Sequence, residues 1–140
     1  PHETDLVVRQ IGTEEAEARS SELASVYGSD DVPLFFARSC SQSGVDGFIA
    51  EADGQIASAA LLHLVDGVGY LGWMATAEAF RGRGGQNALI GARITRTAEL
   101  GCEWVASETL YSLQGSLRNL QRNGFEIVYE KKVFEWRRTW

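Results

Sequence analysis

The sequence predicts one α/β domain over residues 1–140, with a mixed, mostly antiparallel sheet of six to seven strands and about four helices. Two Asp-Gly pairs, Asp53-Gly54 and Asp66-Gly67, separate three apolar runs and are typical of tight hairpins. A glycine-rich stretch, 81–86, then stands between an apolar strand pattern and an apolar helix pattern. A chain of 140 residues with 44% apolar and 23% charged residues is large and apolar enough to bury a core.

The first third of the chain predicts one strand and two helices. Residues Asp5–Ile11 form a strand pattern, and Thr13 follows as a candidate N-cap of a helix with acidic residues in its first turn. Gly28 is a plausible end of that helix. A second short helix is expected to start near Pro33, and 39–47 is expected to be a loop.

The middle of the chain predicts three strands joined by the two Asp-Gly turns, which should form an antiparallel meander. The strands are expected at Phe48–Ala52, Ile56–Val65 and Val68–Thr76.

The last part of the chain predicts two helices and three strands. A helix from about Gly84 to Leu100 ends before Gly101, and the strand Trp104–Thr109 that follows should run parallel to the strand before the helix. The remaining elements are a helix with Leu113, Leu117 and Leu120 on one face, ending at Asn123-Gly124, and the strands Phe125–Tyr129 and Val133–Trp136.

The segment Arg81–Gln86 has the composition of a pyrophosphate-binding turn. Glycines allow close approach of the backbone, and the first turn of a helix presents unpaired N–H groups and the positive end of its dipole. Arginines add forked donors for phosphate oxygens. A P-loop would end in Gly-Lys-Ser/Thr, and a dinucleotide fingerprint would need a glycine at Leu89, so neither pattern is met.

Composition excludes several classes of function. A net charge of −6 and a pI near 4.9 argue against a nucleic-acid or anionic-membrane surface and favour cationic or amine-bearing partners. No apolar run approaches the roughly 20 residues of a membrane span, and we expect no secretory signal. Cys40 and Cys102 lack metal-ligand spacing, so we expect free thiols, no metal site and a cytoplasmic protein.

The element order, the Arg/Gly turn and Asn123-Gly124-Phe125 together resemble the GNAT superfamily of acyl-CoA-dependent N-acyltransferases, from about Asp5 to Trp136. The family's phosphate motif is Q/R-x-x-G-x-G/A. Residues 81–85 match its first five places, and Gln86 stands where Gly or Ala is usual. Acetyl-CoA as co-substrate is therefore implied.

The resemblance also implies which residues bind coenzyme A. Amides from about Arg83 to Asn87 would hold the phosphates, and the main chain of 74–76 would hold the pantetheine arm. The residues so assigned are Met74, Ala75, Thr76, Arg81, Gly82, Arg83, Gly84, Gly85, Gln86, Asn87 and Asn119.

The implied reaction is direct attack of an amine on the thioester in a ternary complex, with a main-chain N–H near Met74 or Ala75 polarising the carbonyl. The family's usual proton donor, a tyrosine, is replaced by Leu120. Tyr111 or water would then protonate the thiolate, and Glu108 would take the amine proton through water. The alternative is a catalytically silent CoA-binding sensor or interaction domain.

The expected partners are an amine acceptor, on a small molecule or a protein, and a second copy of the chain. Val133, Phe134 and Trp136 on the last predicted strand favour homodimerisation. The amino-acid sequence of residues 75–90 is especially similar to that of the C-terminal catalytic domains of certain two-part bacterial GNAT proteins. Since the chain begins at Pro1 rather than Met, we expect a preceding domain that is absent here.

Overall fold

A computed structural model describes residues 4–139, which form five strands and five α-helices. A single 3-10 turn, Glu78–Phe80, precedes the longest helix. No helix within residues 4–139 is long and apolar enough to span a membrane. The elements, in chain order, are β1 Val7–Ile11, α1 Thr13–Ala18, α2 Ser20–Tyr27, α3 Val32–Cys40, β2 Val45–Ala52, β3 Gln55–Val65, β4 Val68–Thr76, α4 Gly85–Glu99, β5 Trp104–Ser107 and α5 Gln114–Arg122.

The five strands form one sheet in the order β1-β2-β3-β4-β5. Neighbours are antiparallel from β1 to β4, and β4 pairs with β5 in parallel, which confirms the predicted α/β class and the parallel fourth and fifth strands. The hairpin turns have φ angles of 51° at Asp53, 78° at Gly54, 48° at Asp66 and 77° at Gly67. Positive φ at both central residues is what a two-residue hairpin loop requires.

The predicted count of six to seven strands is wrong, because residues 125–139 form no strand. Phe125–Tyr129 and Val133–Trp136 carry strand-like apolar residues, but a strand also needs a partner backbone. Val128 and Phe134 in this tail are 85% and 89% exposed. The sequence pattern alone therefore did not decide whether these segments pair.

The predicted count of about four helices is low by one, because the first helix is interrupted. Arg19 has φ −107° and ψ 25°, which separates α1 from α2. Gly12 rather than Thr13 is the N-cap of α1, so the predicted capping role of Thr13 is also wrong. Gly28 ends α2 with φ 65°, as expected for a glycine in the left-handed region.

The sheet is covered on both faces, which gives two hydrophobic cores. Alternate side chains of β2 point in opposite directions, so Phe48 packs towards α4 and Ile49 packs towards α1, α2 and α3. Leu89 and Ile90 of α4 fill the first core, and Leu23 of α2 belongs to the second. The sheet is thus a rigid platform between two helical layers.

Two glycine contacts bring α4 close to the sheet. A Cβ added at Gly85, the first residue of α4, would lie 2.3 Å from Ser58 Oγ on β3. A Cβ added at Gly69 on β4 would lie 2.3 Å from Thr97 Oγ1, near the other end of the helix. Both distances are below van der Waals contact, so the absence of a side chain sets the helix-to-sheet spacing at each end.

A cluster of five charged side chains joins β1, α1, α2 and β2. Arg9 binds Glu15 and Glu51, and Arg19 binds Glu15, Glu22 and Glu51. Hydrogen bonds from the two guanidinium groups hold the pKa values of all three carboxyl groups below their ordinary value of 4.5. Because a lowered folded-state pKa stabilises the fold only while the carboxylate is ionised, this contribution is present above about pH 4.5 and declines in acid.

We expect Glu51→Gln to lower the free energy of unfolding at pH 7 by roughly 1–2 kcal/mol, because it removes the carboxylate shared by both arginines. The difference from the unmodified protein should shrink between pH 5 and pH 3, where the wild-type carboxylates take up protons. Urea unfolding of the variant and the unmodified protein at pH 7 and at pH 3 measures this difference. Glu17→Gln, at an exposed position of α1, is the matched control and should change neither curve. A Glu51→Gln deficit that is equal at pH 7 and pH 3 would contradict the linkage.

Candidate functional site

A cleft opens where β4 and β5 separate. Their parallel ladder ends at Leu71 and Ser107, whereas β4 continues to Thr76 paired with β3 only. The resulting cleft has a volume of about 1620 Å³ and extends from the amino end of α4 to the C-terminal tail. All of the predicted site residues line it except Arg83.

The splayed part of β4 contains a β-bulge. Ala59 pairs with Ala75 and Leu61 pairs with Gly72, so Trp73 and Met74 face the single residue Ala60. Trp73 has a φ of 51°, in the left-handed region that bulky residues rarely adopt. Its ring lies on Phe35 of α3, with centroids 4.4 Å apart. The bulge therefore redirects the backbone of the residues predicted to bind pantetheine.

Two side chains that sequence analysis did not assign to the site anchor this bulge. Tyr27 donates its hydroxyl to Trp73 O at 2.5 Å. Arg93 donates to Leu61 O at 2.9 Å and to Gly72 O at 3.2 Å. Arg93 is only 2% exposed, and burial lowers the pKa of its guanidinium to about 10, so it remains cationic at neutral pH.

The amino end of α4 presents free amides to the cleft. The first backbone bond of the helix runs from Ala88 N–H to Gly84 O at 3.0 Å, so the amides of residues 85–87 have no partner inside the helix. No side chain caps this end. Gly82 and Gly84 have φ angles of 79° and 82°, which shape the turn that leads into it. The arrangement fits an anion such as a pyrophosphate.

The two arginines of the turn differ in their surroundings. Within residues 4–139, the exposed Arg81 side chain makes no hydrogen bond or ion pair and lines the cleft. Arg83 instead pairs with Asp5, and its guanidinium lies 5.5 Å from the centroid of the Phe80 ring. Its carbonyl accepts a bond from Thr4 Oγ1 at 2.7 Å. Arg81 is therefore the side chain available to a phosphate, whereas Arg83 ties the turn to the N-terminal segment.

Side-chain amides join the first turn of α4 to α5. Asn119 donates to Gln86 Oε1 at 2.7 Å and accepts from Asn87 Nδ2 at 3.2 Å. Gln86 also donates to Ser116 Oγ at 3.2 Å, and Asn123 donates to Asn87 Oδ1 at 2.9 Å. The Gln86 side chain is thus turned towards α5, which explains how glutamine is accommodated at a motif place usually held by Gly or Ala.

The predicted catalytic residues, Glu108 and Tyr111, line the part of the cleft beside the C-terminal tail, away from the amino end of α4. Glu108 is 48% exposed and forms an ion pair with Lys131, whose pKa is raised by that carboxylate. Tyr111 is exposed and donates to Glu130 Oε1 at 2.6 Å, a bond that raises the pKa of the phenol. Burial raises the pKa of Tyr70, which lines the same cleft. Each predicted catalytic group is therefore held by a residue of the tail.

Leu120, at the place of the family's usual tyrosine, is 8% exposed and belongs to the core under α4. It lines the cleft but carries no proton to donate.

Within residues 4–139 no group of three or more His, Cys, Asp or Glu side chains is placed to hold a metal ion.

Comparison with known families and structures gives a consistent result. The profile of the acetyltransferase (GNAT) family matches residues 12–125. A comparison with curated proteins by sequence finds no match. Among solved structures, the aminoglycoside N-acetyltransferase AAC(6')-Iy in complex with the bisubstrate analogue CoA-S-monomethyl-acetylneamine has a TM-score of 0.76 and 25% identity, covering 96% of this chain and 99% of that chain.

Two more distant structures share the fold. A ribosomal-protein-alanine N-acetyltransferase from Brucella melitensis biovar Abortus 2308 has a TM-score of 0.74 and 14% identity, covering 94% of this chain and 99% of that chain. A transcriptional regulator from Bacillus halodurans C-125 has a TM-score of 0.74 and 17% identity, with the same coverage of 94% and 99%.

Proposed function

The chain belongs to the acetyltransferase (GNAT) family, and on that basis we propose that it moves an acetyl group from acetyl-CoA to an amine by direct attack in a ternary complex. The acceptor amine belongs to a small molecule or a protein. One observation supports this most strongly: the free amides of residues 85–87 and the bulge at 73–74 open into the same cleft. A phosphate group and a thioester therefore have separate sites in one continuous groove.

The amides of residues 85–87 and the Arg81 side chain form a cradle for the diphosphate. This cradle and the bulge in β4 have different roles in the proposed reaction. Amides of the first turn and the Arg81 guanidinium bind the diphosphate, which orients the thioester along β4. The amine nitrogen attacks the carbonyl carbon, and the N–H of Met74 stabilises the charge on the oxygen. A C–N bond forms and the C–S bond breaks; the amine proton passes through water to Glu108, and the departing thiolate takes a proton from Tyr111 or from water. The products are an amide and coenzyme A.

The acceptor end of the cleft suits a cationic amine. Two carboxylates, Glu108 and Glu130, stand there against one cation, Lys131, which pairs with Glu108. Tyr70, Trp73 and Tyr129 supply aromatic faces that attract cations. The net charge of −6 adds a weak attraction of the same sign. Aminoglycosides carry several such amines, and the structure of AAC(6')-Iy holds an acetylated neamine analogue. We therefore propose a small polycationic amine in preference to a neutral acceptor.

The second candidate function is a sensor that binds coenzyme A without turnover. It is favoured by Leu120, which supplies no proton at the place of the family's usual acid. Thiol release from acetyl-CoA, assayed over a panel containing an aminoglycoside, a polyamine and a peptide with a free amino terminus, separates the two. Turnover supports the transferase, and tight coenzyme A binding with no turnover on any amine supports the sensor. A protein that binds no coenzyme A contradicts both.

Replacement of Glu108 by Gln is expected to lower kcat about a hundredfold if this carboxylate takes the amine proton. The dependence of the rate on pH should change as well, because the variant has no carboxylate to accept the amine proton. Steady-state rates from pH 5 to pH 9 measure both effects. Glu103→Gln, which removes a carboxylate just before β5 and outside the cleft, is the control. An unchanged profile in Glu108→Gln removes this residue from the mechanism.

We also propose that a second copy of the chain covers the tail, residues 125–139. Val128, Val133 and Phe134 are large apolar side chains left exposed on it, and within residues 4–139 this segment belongs to no strand of the sheet. Sedimentation equilibrium at micromolar concentration should give the mass of a dimer. A monomer under these conditions would contradict the proposal.

A further inference from the structure

The β4 bulge is held at two consecutive carbonyl groups by side chains from opposite faces of the sheet. Tyr27 of α2 donates to Trp73 O at 2.5 Å. Arg93 of α4 donates to Gly72 O at 3.2 Å and reaches across to Leu61 O on β3 at 2.9 Å. Neither contact is a backbone ladder bond, so both exist only because side chains replace the pairing that the bulge interrupts.

The two anchored carbonyls belong to the peptide groups that carry the next two amides. The Gly72 carbonyl shares a planar peptide group with the Trp73 N–H, and the Trp73 carbonyl shares one with the Met74 N–H. A hydrogen bond accepted by a carbonyl polarises its peptide group and strengthens the N–H at the other end as a donor. The Tyr27 hydroxyl therefore acts on the amide assigned to the thioester oxygen.

The burial of Arg93 has no explanation in an ion pair. Its guanidinium contacts three backbone carbonyls, those of Leu61, Gly72 and Leu89, and no carboxylate within residues 4–139. A buried cation without a counter-ion is costly, whereas a methionine or leucine would fill a similar volume. A positive charge beside the cleft does favour negative charge that develops on the oxygen above the bulge.

We propose that Tyr27 and Arg93 are positioning residues for acyl transfer: both hold the bulge, and Tyr27 polarises the amide of Met74 towards the thioester oxygen. This inference rests on the proposed acetyl transfer. It places neither side chain in contact with the acetyl group, since both act through backbone carbonyls. It also explains why a bulky residue is kept at a positive φ at Trp73: the Tyr27 hydrogen bond and the contact with Phe35 hold it there.

The test is infrared spectroscopy of acetyl-CoA labelled with carbon-13 at the thioester carbonyl, bound to the full chain. Polarisation lowers the carbonyl stretching frequency, and this readout needs no acceptor. Tyr27→Phe removes one hydroxyl and leaves the ring beside Phe36, at a centroid distance of 6.1 Å. We expect its band to return towards that of free acetyl-CoA and kcat to fall about tenfold, while the Kd of acetyl-CoA changes less than about twofold.

Two further variants separate polarisation from packing. Arg93→Lys keeps the positive charge but loses the fork that bridges two carbonyls, and its band should lie between those of the wild type and Tyr27→Phe. Phe36→Leu loosens the packing beside Tyr27 without removing the hydroxyl, and should lower the melting temperature while leaving the band in place.

The outcomes distinguish this inference from the function on which it rests. A wild-type protein that binds no acetyl-CoA would overturn both. A wild-type protein that binds acetyl-CoA and lowers its carbonyl frequency, beside a Tyr27→Phe protein with the same band and the same kcat, would overturn this inference alone. So would a Phe36→Leu protein whose band moves as far as that of Tyr27→Phe.

Discussion

Gly85→Ala is expected to weaken coenzyme A binding by about ten- to a hundredfold, because the new methyl group would displace the amino end of α4. Its Cβ would lie 2.3 Å from Ser58 Oγ, 3.2 Å from Ser58 Cβ and 3.3 Å from Leu6 Cδ1. Ser58 is fully buried and its hydroxyl is bonded to Thr76 Oγ1 at 2.9 Å, so it has little room to move aside. Overpacking of this kind costs about 1–3 kcal/mol, and each 1.4 kcal/mol is tenfold in affinity.

Calorimetric titration of coenzyme A measures this effect directly. Gly91→Ala is the matched control, since Gly91 lies in the same helix and an added Cβ would meet nothing within 4 Å beyond its chain neighbours and the backbone of that helix. That change should leave the affinity unaltered and stabilise the helix by up to about 1 kcal/mol. The double variant Gly85→Ala with Ser58→Gly restores the space and should recover part of the affinity. Wild-type affinity in Gly85→Ala would show that the cradle does not depend on this contact.

Gly69→Ala is expected to reduce the free energy of unfolding by about 1–3 kcal/mol, through a clash at the other end of the same helix. The added Cβ would lie 2.3 Å from Thr97 Oγ1, 2.5 Å from Cγ2 and 2.9 Å from Cβ. Thr97 is fully buried, β-branched and bonded to Arg93 O at 2.7 Å, so its side chain cannot easily rotate away. Either α4 lifts from β4 or the strand bends, and both changes expose the core.

Urea unfolding followed by tryptophan fluorescence gives the loss in stability. Thr97→Gly in the Gly69→Ala background removes all three close atoms and should restore some of it, less the cost of about 1 kcal/mol for a glycine inside a helix. Because α4 carries the cradle and β4 carries the bulge, Gly69→Ala should also weaken acetyl-CoA binding. An unfolding midpoint equal to that of the wild type would show that the helix and strand are less tightly packed than the distances indicate.

The parts of the fold that local chemistry decides were predictable. Asp53-Gly54 and Asp66-Gly67 specify hairpin turns because few residues tolerate positive φ in succession. The turn into α4 was likewise predicted from its glycines and from its place between a strand and a helix, whereas its binding of a diphosphate stays a prediction. Val68–Thr76 was predicted with the bounds that the structure shows.

The parts that depend on contacts between distant segments were not predictable. Arginine is usually a surface residue, so the sequence does not predict that Arg93 is buried. The carbonyls at the bulge make its burial possible. Nothing near Tyr27 in the sequence indicates that its hydroxyl reaches Trp73. The tail was predicted as two strands because its apolar residues suit a sheet, but no property of the segment itself supplies a partner.

The order of the strands in the sheet repeats their order in the chain, and this has a kinetic consequence. Each hairpin from β2 to β4 closes through a two-residue turn, so these pairings form with little loss of chain entropy. The step from β4 to β5 must enclose all of α4 before the parallel ladder gains a single bond. During refolding, the meander should therefore gain protection from hydrogen exchange first, and the groove between β4 and β5 should take shape last.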